Sequence, residues 1–226
     1  MEELDIEKIK EEIKNKLSEK RYNHSIGTMK RAEKMAKIYN IDVEKAKLAG
    51  LTHDMAKELS QEEKLKYVKE NNIKIDEVER LCPDLLHGKI AAHMCKIKYG
   101  FDEEMQEAIA FHTTSKVNMS VLGKIIFLAD ITEENRNFED VDILRELSEK
   151  NLDEAMLYAL NKTIEKTVKT NKLLHPDSVN SRNHILSANY KMWYNIKCVK
   201  NINLNRRCWI ENRYSRTSKR RKKYNV

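Results

Sequence analysis

The pair His53-Asp54 is the strongest chemical signal in the sequence. Small residues precede it at the 3–4 spacing of an inward-facing helix, which allows close packing: Ala46, Ala49 and Gly50. A buried histidine is usually only hydrogen-bonded, but a buried carboxylate is unfavourable unless a cation or strong donors meet it. The adjacent Asp54 therefore favours a metal-binding pair over a purely structural one.

Asp130 raises the same question, because it ends the apolar run Ile125-Ile-Phe-Leu-Ala-Asp. A lone carboxylate would be stranded among apolar side chains there. One interpretation is an ion pair with Lys124 or Arg136 at a helix end. The other is a metal ligand, which the presence of His53-Asp54 makes credible.

Three more histidines are candidates. His112 falls on an inward-facing 3–4 pattern, His24 lies at the start of the second predicted helix, and His87 lies at the start of the helix predicted over residues 86–99. Taken singly, each fits a structural role at least as well. His93 competes with His87, since it also lies on an apolar stripe, and we interpret His93 as structural. Together the candidates supply four histidines and two aspartates on five helices, a ligand set that suits Fe, Mn, Co, Ni or Zn. Two such metals sharing Asp54 would activate water and polarise a phosphoryl oxygen.

The elements that must position these residues follow a helical period up to about residue 170. Asp5, Asp42 and the pair Ser60/Glu63 are typical helix starts, and Gly100 is typical of a helix end. We find no convincing β-strand and predict an all-α protein. The predicted helices cover residues 5–20, 22–39, 43–57, a stretch from 60, 86–99, 103–112, 121–131, 141–150 and 153–172, with Pro176 ending the last.

The composition favours a soluble helical domain. Charged residues make up 35% and hydrophobic ones 40%, and five Gly and two Pro are too few for a sandwich or barrel. No stretch approaches the roughly 20 apolar residues of a membrane helix, and the polar start MEELDIEKIK is not a secretory signal. We therefore predict a cytoplasmic protein. The four cysteines form no CxxC pair, which disfavours a disulfide framework or a cysteine zinc site.

The positive charge belongs to the C-terminal tail. From Ser187 to Val226 there are 12 Lys+Arg and one acidic residue, whereas the other 186 residues carry 31 basic and 35 acidic ones. We predict a domain over residues 1–186 and a basic extension over 187–226, whose first part, 188–196, could extend a helix. Basic residues interleaved with Tyr and Trp suit RNA, but disorder or a non-native extension of the reading frame are alternatives, and we favour little function for this tail.

The ordered motifs resemble the YqeK family of the HD superfamily of metal phosphohydrolases, over residues 1–186. The resemblance implies an HD-domain helical bundle, a di-iron centre and hydrolysis of diadenosine tetraphosphate to two ADP. Seven motifs carry it: Arg21-Tyr22-x-His24-Ser25, His53-Asp54-x-Ala56-Lys57, Leu86-His87-Gly88, His112-Thr113-Thr114, Ile126-x-Leu128-Ala129-Asp130, Glu134-Asn135-Arg136 and His175-Pro176.

The resemblance also implies a role for each site residue. His24, His53, Asp54 and Asp130 would hold one metal, and Asp54, His87 and His112 the other. Catalytic roles fall on Asp54, Lys57 and Arg136. Phosphate oxygens would be met by Arg21, Lys57, Thr113 and Arg136, His112 would also contact substrate, and residues from Asn171 to His175 would lie along the nucleoside. For Lys57, a charge at a helix C-terminus is an almost equal alternative.

The sequence departs from the family where Gly-Arg often follows His-Thr-Thr, because this chain has Ser115-Lys116. Positive charge is kept there, but a bidentate phosphate contact would be lost. Two alternatives to the tetraphosphatase stay open. One is another HD activity, a nucleoside monophosphatase or a guanosine tetraphosphate hydrolase. The other is an RNA-associated module with a degenerate metal core. Dimerisation is left open.

Overall fold

The computed structural model describes residues 5–199, with side chains up to residue 188. This part of the chain is all-α, as predicted, and contains no β-strand. A 3₁₀ turn at Pro83–Leu86 precedes α6. The helices are α1 Ile6–Lys16, α2 Glu19–Ile38, α3 Val43–Thr52, α4 Gln61–Glu70, α5 Glu77–Leu81, α6 His87–Tyr99, α7 Glu103–Ala110, α8 Val121–Thr132, α9 Val141–Lys150, α10 Leu152–Lys169 and α11 Pro176–Val199.

The predicted helix caps are confirmed. The Asp5 carboxylate accepts the backbone N–H of Glu7, and Asp42 accepts that of Lys45. Ser60 and Glu63 bond each other's backbone N–H in a capping box. Side-chain acceptors thus satisfy N–H groups that the first helical turn leaves unpaired.

Two predicted helix boundaries near the N-terminus are wrong. The first helix ends at Lys16 rather than at residue 20, because Ser18 caps α2, which then begins three residues earlier than predicted. The Ser18 hydroxyl and backbone N–H both donate to the Glu58 carboxylate, at 2.5 and 2.7 Å. His24 therefore lies in the second turn of α2 instead of at its start.

The predicted helix 43–57 is also too long, since α3 ends at Thr52. Beyond it the backbone bonds span three residues, from Met55 N to Thr52 O and from Lys57 N to Asp54 O. Adjacent side chains on an α-helix point in different directions. Leaving the helix at this point allows both His53 and Asp54 to be buried toward one centre.

Further differences concern α5, α10 and α11. The prediction missed α5, and α10 ends at Lys169 rather than at residue 172. Pro176 begins α11 instead of ending α10, because proline is well suited to the first position of a helix. The extension of a helix over 188–196 is confirmed.

The core brings α2 and α3 very close together. A Cβ on Gly50 would lie only 3.1 Å from the Met29 Cα and from the Thr28 carbonyl oxygen. Ala46 and Ala49 are fully buried, which confirms the predicted inward face of α3. This close approach places His24 of α2 beside His53 at the end of α3.

Residues up to Ser187 form one compact unit. The predicted domain boundary at residue 186 stays a prediction. Residues 200–226, with most of the basic tail, lie outside the described residues, as do the predictions of disorder and RNA binding made for them. None of the described helices has the length and hydropathy needed to cross a membrane.

Candidate metal centre

The six side chains predicted as metal ligands converge on one buried cluster. Five segments contribute: α2, the turn after α3, the start of α6, the turn after α7 and the last turns of α8. All six are at most 14% exposed. We call them the histidine–aspartate cluster: His24, His53, Asp54, His87, His112 and Asp130.

The first half of the cluster comprises His24, His53, Asp130 and the Oδ2 atom of Asp54. His24 Nε2 lies 2.9 Å from Asp130 Oδ1 and 3.3 Å from His53 Nε2. His53 Nε2 lies 3.4 Å from Asp54 Oδ2. Four possible ligand atoms therefore surround one point, as the prediction required.

The second half comprises His87, His112 and the Oδ1 atom of Asp54. His87 Nε2 lies 3.2 Å from Asp54 Oδ1 and 3.1 Å from His112 Nε2. His112 Nε2 lies 3.6 Å from the same carboxylate oxygen. Asp54 thus turns one oxygen to each half, an arrangement that would suit a carboxylate shared by two metal ions.

Three of the four histidine rings are oriented by the backbone three residues before them. The Nδ1 atoms of His53 and His112 each lie 2.7 Å from a carbonyl oxygen, that of Gly50 and of Ile109. His87 Nδ1 lies 2.5 Å from the carbonyl oxygen of Asp84. A carbonyl can only accept, so Nδ1 carries the proton and each Nε2 turns a lone pair toward the cluster.

The fourth ring, His24, is oriented by a carboxylate instead. Its Nδ1 lies 3.1 Å from Glu133 Oε1, and Glu133 is 1% exposed. The second carboxylate oxygen accepts the backbone N–H of Asn135 at 2.7 Å. A Cβ on Gly27 would come within 2.3 Å of that oxygen, so a larger residue there would displace the carboxylate. Carboxylate–histidine pairs of this kind orient metal ligands.

The sequence analysis missed Glu133. The predicted motif begins one residue later, at Glu134-Asn135-Arg136, and Glu134 is exposed. A glycine at position 27, one helical turn after His24, is the sequence feature consistent with a close contact on that face. It does not identify the contacting residue, which is 106 positions away in the chain.

Several observations show that the cluster fits cations. Asp54 Oδ1 is buried and has no hydrogen-bond donor, since the nearby His87 Nε2 carries no proton. Burial lowers the pKa of His87 to about 4. An ionised carboxylate and neutral imidazole lone pairs, packed together, are a donor set for metal ions.

Two arginines lie beside the first half. Arg21 Nη1 donates to Asp54 Oδ2 at 2.7 Å, and Arg136 Nη2 donates to Asp130 Oδ1 at 2.5 Å. The ion pair between Asp130 and Arg136 is therefore present, and the interpretation of Asp130 as a metal ligand, which its position beside His24 allows, stays a prediction. The other proposed ion-pair partner, Lys124, bonds Asp153 instead.

Lys57 and Thr113 lie beside the second half. Lys57 Nζ is 3.1 Å from His87 Nε2, and Thr113 Oγ1 is 3.3 Å from the same atom. The alternative of Lys57 as a helix C-terminal charge is not borne out, because α3 has already ended at Thr52. Burial lowers the pKa of Lys57, although Asp54 and Asp130 act against this.

The segment from Asn171 to His175 has no hydrogen bond or ion pair to the cluster within the described residues. Asn171 is exposed, with a positive φ of 51°. His175 is buried, and its Nε2 lies 2.7 Å from Asp76 Oδ2. Three residues on, the Ser178 hydroxyl donates to the carbonyl of Thr114. The segment thus packs next to the Thr113-Thr114 turn, and its nucleoside role stays a prediction.

Ser115 and Lys116, which stand where the family often has Gly-Arg, both form contacts within the protein. Ser115 has a φ of 61°, a conformation that glycine adopts without strain. Its hydroxyl lies 2.8 Å from the Ser181 hydroxyl of α11. Lys116 Nζ donates to Glu107 Oε2 at 2.7 Å, so the positive charge expected at this position is paired with a carboxylate. His93 has the structural role predicted for it, since its Nδ1 lies 3.0 Å from the Tyr67 hydroxyl.

Comparison with known proteins decides the family. A family model described as HD domain matches residues 21–135. The symmetrical bis(5'-nucleosyl)-tetraphosphatase of Halalkalibacterium halodurans is 37% identical over 175 residues, covering 77% of this chain and 93% of that protein. The chain belongs to the symmetrical bis(5'-nucleosyl)-tetraphosphatase family of HD-domain proteins. The resemblance seen in the sequence is confirmed.

A second relative and a solved structure support the same family assignment. The symmetrical bis(5'-nucleosyl)-tetraphosphatase of Bacillus subtilis is 31% identical over 177 residues, covering 78% of this chain and 95% of that protein. A crystal structure from Clostridium acetobutylicum is described as a predicted HD superfamily hydrolase involved in NAD metabolism. It has a TM-score of 0.79 and 38% identity, covering 82% of this chain and 98% of that one. The HD fold is thereby confirmed.

Proposed function

We propose that this protein is a metal-dependent hydrolase that cleaves diadenosine tetraphosphate, and related dinucleoside polyphosphates, symmetrically. One water adds across the central P–O–P anhydride, and the products are two ADP. The names of the relatives support the substrate. The observation that carries the reaction type is Asp54, whose two oxygens face two separate sets of histidines.

The residues that would hold the metals are those of the cluster. His24, His53, Asp130 and Asp54 Oδ2 would hold one, and His87, His112 and Asp54 Oδ1 the other. When bound, such ions supply Lewis-acid polarisation of a phosphoryl oxygen and lower the pKa of water. Nitrogen and oxygen ligands suit several transition metals. We propose iron, which the family resemblance implies, with Mn, Co, Ni and Zn as substitutes.

The cationic side chains bind and orient the phosphates. Arg21 and Arg136 use one edge of the guanidinium on Asp54 and Asp130, and each retains N–H groups that can reach a phosphate. On the other side, Lys57 provides a point charge and Thr113 a hydroxyl. Because two cations border one half and one borders the other, a polyphosphate chain laid across the cluster is neutralised on both sides of its centre.

The decisive experiment is an assay of the iron-loaded enzyme with diadenosine tetraphosphate in ¹⁸O-labelled water. We expect ADP as the sole nucleotide product, with the label in one of the two ADP molecules from each turnover. ATP plus AMP would reject symmetrical cleavage. The same assay with nucleoside monophosphates and guanosine tetraphosphate tests the alternative HD activities, which no feature of the cluster favours.

The RNA-binding alternative is tested by removing the tail. Because α11 continues to Val199, the chain should be cut after that residue rather than at Leu186. We expect hydrolysis to persist unchanged, since the cluster uses no residue beyond Asp130. Salt-sensitive RNA binding that disappears on truncation would support the alternative. The cytoplasm stays the predicted compartment, and a homodimer stays an open prediction.

A further inference from the structure

A cavity of about 300 Å³ opens beside the first half of the cluster. It is lined by Lys20, Arg21 and Asn23 from the start of α2 and by Asn135 and Arg136 from the loop after α8, together with His24 and Glu133. Neither the second half of the cluster nor Lys57 or Thr113 contributes to it. The cavity therefore extends from one side of the bridging Asp54 only.

The charges of the cavity favour an anion. Lys20, Arg21 and Arg136 are cationic, and the only carboxylate in the lining, Glu133, is already bonded by His24 and Asn135. Positive charge is thus in excess at a point next to where the central phosphates would lie. Cations with unused N–H groups are the usual partners of phosphate oxygens.

Three of the lining side chains have unused polar groups. Lys20 and Asn23 are exposed, and neither makes a side-chain hydrogen bond or ion pair with another described residue. The amide nitrogen of Asn135 donates to Glu133 Oε2 at 3.0 Å, which fixes the orientation of the amide and leaves its oxygen as an acceptor. An amide acceptor and a second amide suit the hydroxyl groups of a sugar.

The lining contains no Phe, Tyr or Trp, so it lacks the large aromatic side chains on which a base usually stacks. Its volume is at the lower end for small-molecule sites. A phosphate and a sugar fit these features better than a complete nucleotide does. The two nucleoside diphosphate halves of the substrate extend from the two sides of the central anhydride. The cavity lies on one of those sides.

We propose that this cavity binds the outer phosphate and the ribose of one nucleoside diphosphate half. Lys20 contacts the phosphate, and Asn23 and Asn135 contact the sugar hydroxyls. The other half lies on the side of Lys57 and Thr113. This assignment rests on the proposed function, and it makes Lys20, Asn23 and Asn135 specificity residues without a part in the bond-breaking step.

The test compares the wild-type holoenzyme with the double variant Lys20→Ala/Asn23→Ala. For diadenosine tetraphosphate we expect KM to rise about tenfold, the effect of losing one charge-assisted contact, with kcat within about twofold. Titration with ADP, which involves no turnover, should show two molecules bound per wild-type chain, and in the variant one of the two should bind about tenfold more weakly. Lys20→Arg should restore most of the affinity.

Lys30→Ala is the matched control, because Lys30 is another exposed lysine of α2 and does not line the cavity. Lys20 and Asn23 lie on the surface without partners among the described residues, so the double variant is expected to fold normally. Equal KM and equal ADP binding in wild type and double variant would overturn the proposal. Wild-type enzyme that yields no ADP from diadenosine tetraphosphate would instead reject the proposed function, and the ADP titration separates the two outcomes.

Discussion

The two halves of the cluster share Asp54 but differ in their ligands. The first half has two histidines and two carboxylate oxygens, whereas the second has two histidines and one carboxylate oxygen. An additional anionic ligand strengthens cation binding. A half with three protein ligands leaves more coordination positions for water and substrate. We therefore expect the first half to hold a metal more tightly, and the second to leave more coordination positions open.

The polar side chains beside the two halves also differ. Arg21 and Arg136 bond the carboxylates of the first half directly. Lys57 and Thr113 approach only the ring nitrogen of His87 in the second half. Sharing Asp54 therefore does not make the surroundings of the two halves equivalent. Four predictions test or refine this view.

The largest effect is expected from Asp54→Asn, which removes the charge common to both halves. We expect kcat/KM to fall by about a thousandfold or more, as when a central catalytic group is lost, and both metals to be retained poorly. Metal content by mass spectrometry and ADP release provide the measurements. Asp153→Asn, at an exposed residue of α10, is the control. Two tightly bound metals in Asp54→Asn would contradict the bridging role.

Graded chelation should separate the halves. We expect the wild-type enzyme to lose its metals in two steps that differ about tenfold or more in affinity, because of the extra carboxylate. His112→Ala should abolish the weaker step and leave the tighter one. Asp130→Ala should weaken the tighter step selectively. A single cooperative loss of both metals in all three proteins would show that the halves are not independent.

Glu133→Gln tests the carboxylate that orients His24 in the first half. Loss of a carboxylate behind a metal-binding histidine typically costs about tenfold to a hundredfold in affinity, so the tighter chelation step should weaken while the other stays unchanged. Spectroscopic titration with cobalt would follow each step. Glu134→Gln, at the exposed neighbour, is the matched control. An equal effect of the two variants would remove Glu133 from the centre.

The smallest effect is expected at Arg145 on α9, which holds the loop after α8. Its guanidinium donates to the carbonyls of Thr132, Glu133 and Arg136, at 3.0, 2.8 and 2.9 Å. Arg145→Ala removes these three hydrogen bonds, although the Glu133 carbonyl still accepts the backbone N–H of Arg136. We expect a loss of about 1–3 kcal/mol in the free energy of unfolding. Urea unfolding measures it.

The comparison predicts a second effect of Arg145→Ala on the metals. The loop carries Glu133 and Arg136, so the metal of the first half should bind several-fold more weakly while that of the second half is unaffected. Arg145→Lys should lie between wild type and Arg145→Ala, since an ammonium cannot reach all the carbonyls at once. A uniform weakening of both halves would indicate a purely global loss of stability.

The sequence alone predicted the all-α fold and the convergence of the six cluster residues, because the residue types are rare on inward helix faces and because the family motifs order them. Their role as metal ligands stays a prediction. Glu133 was missed since its role depends on a contact between α2 and the loop after α8. The start of α11 was missed because a proline was interpreted as ending a helix when it begins one. The short α5 carries a signal that could have been used, the capping box of Asp76 and Glu79.

The backbone bonds of His53, His87 and His112 have a consequence for how the centre assembles. Each of these rings is aimed by a carbonyl three residues earlier, so its orientation is available as soon as one turn of chain has formed. The ring of His24 waits for Glu133, more than a hundred residues later. We therefore expect the orientation of three imidazoles to depend on local chain geometry, and that of His24 to depend on docking of the loop after α8.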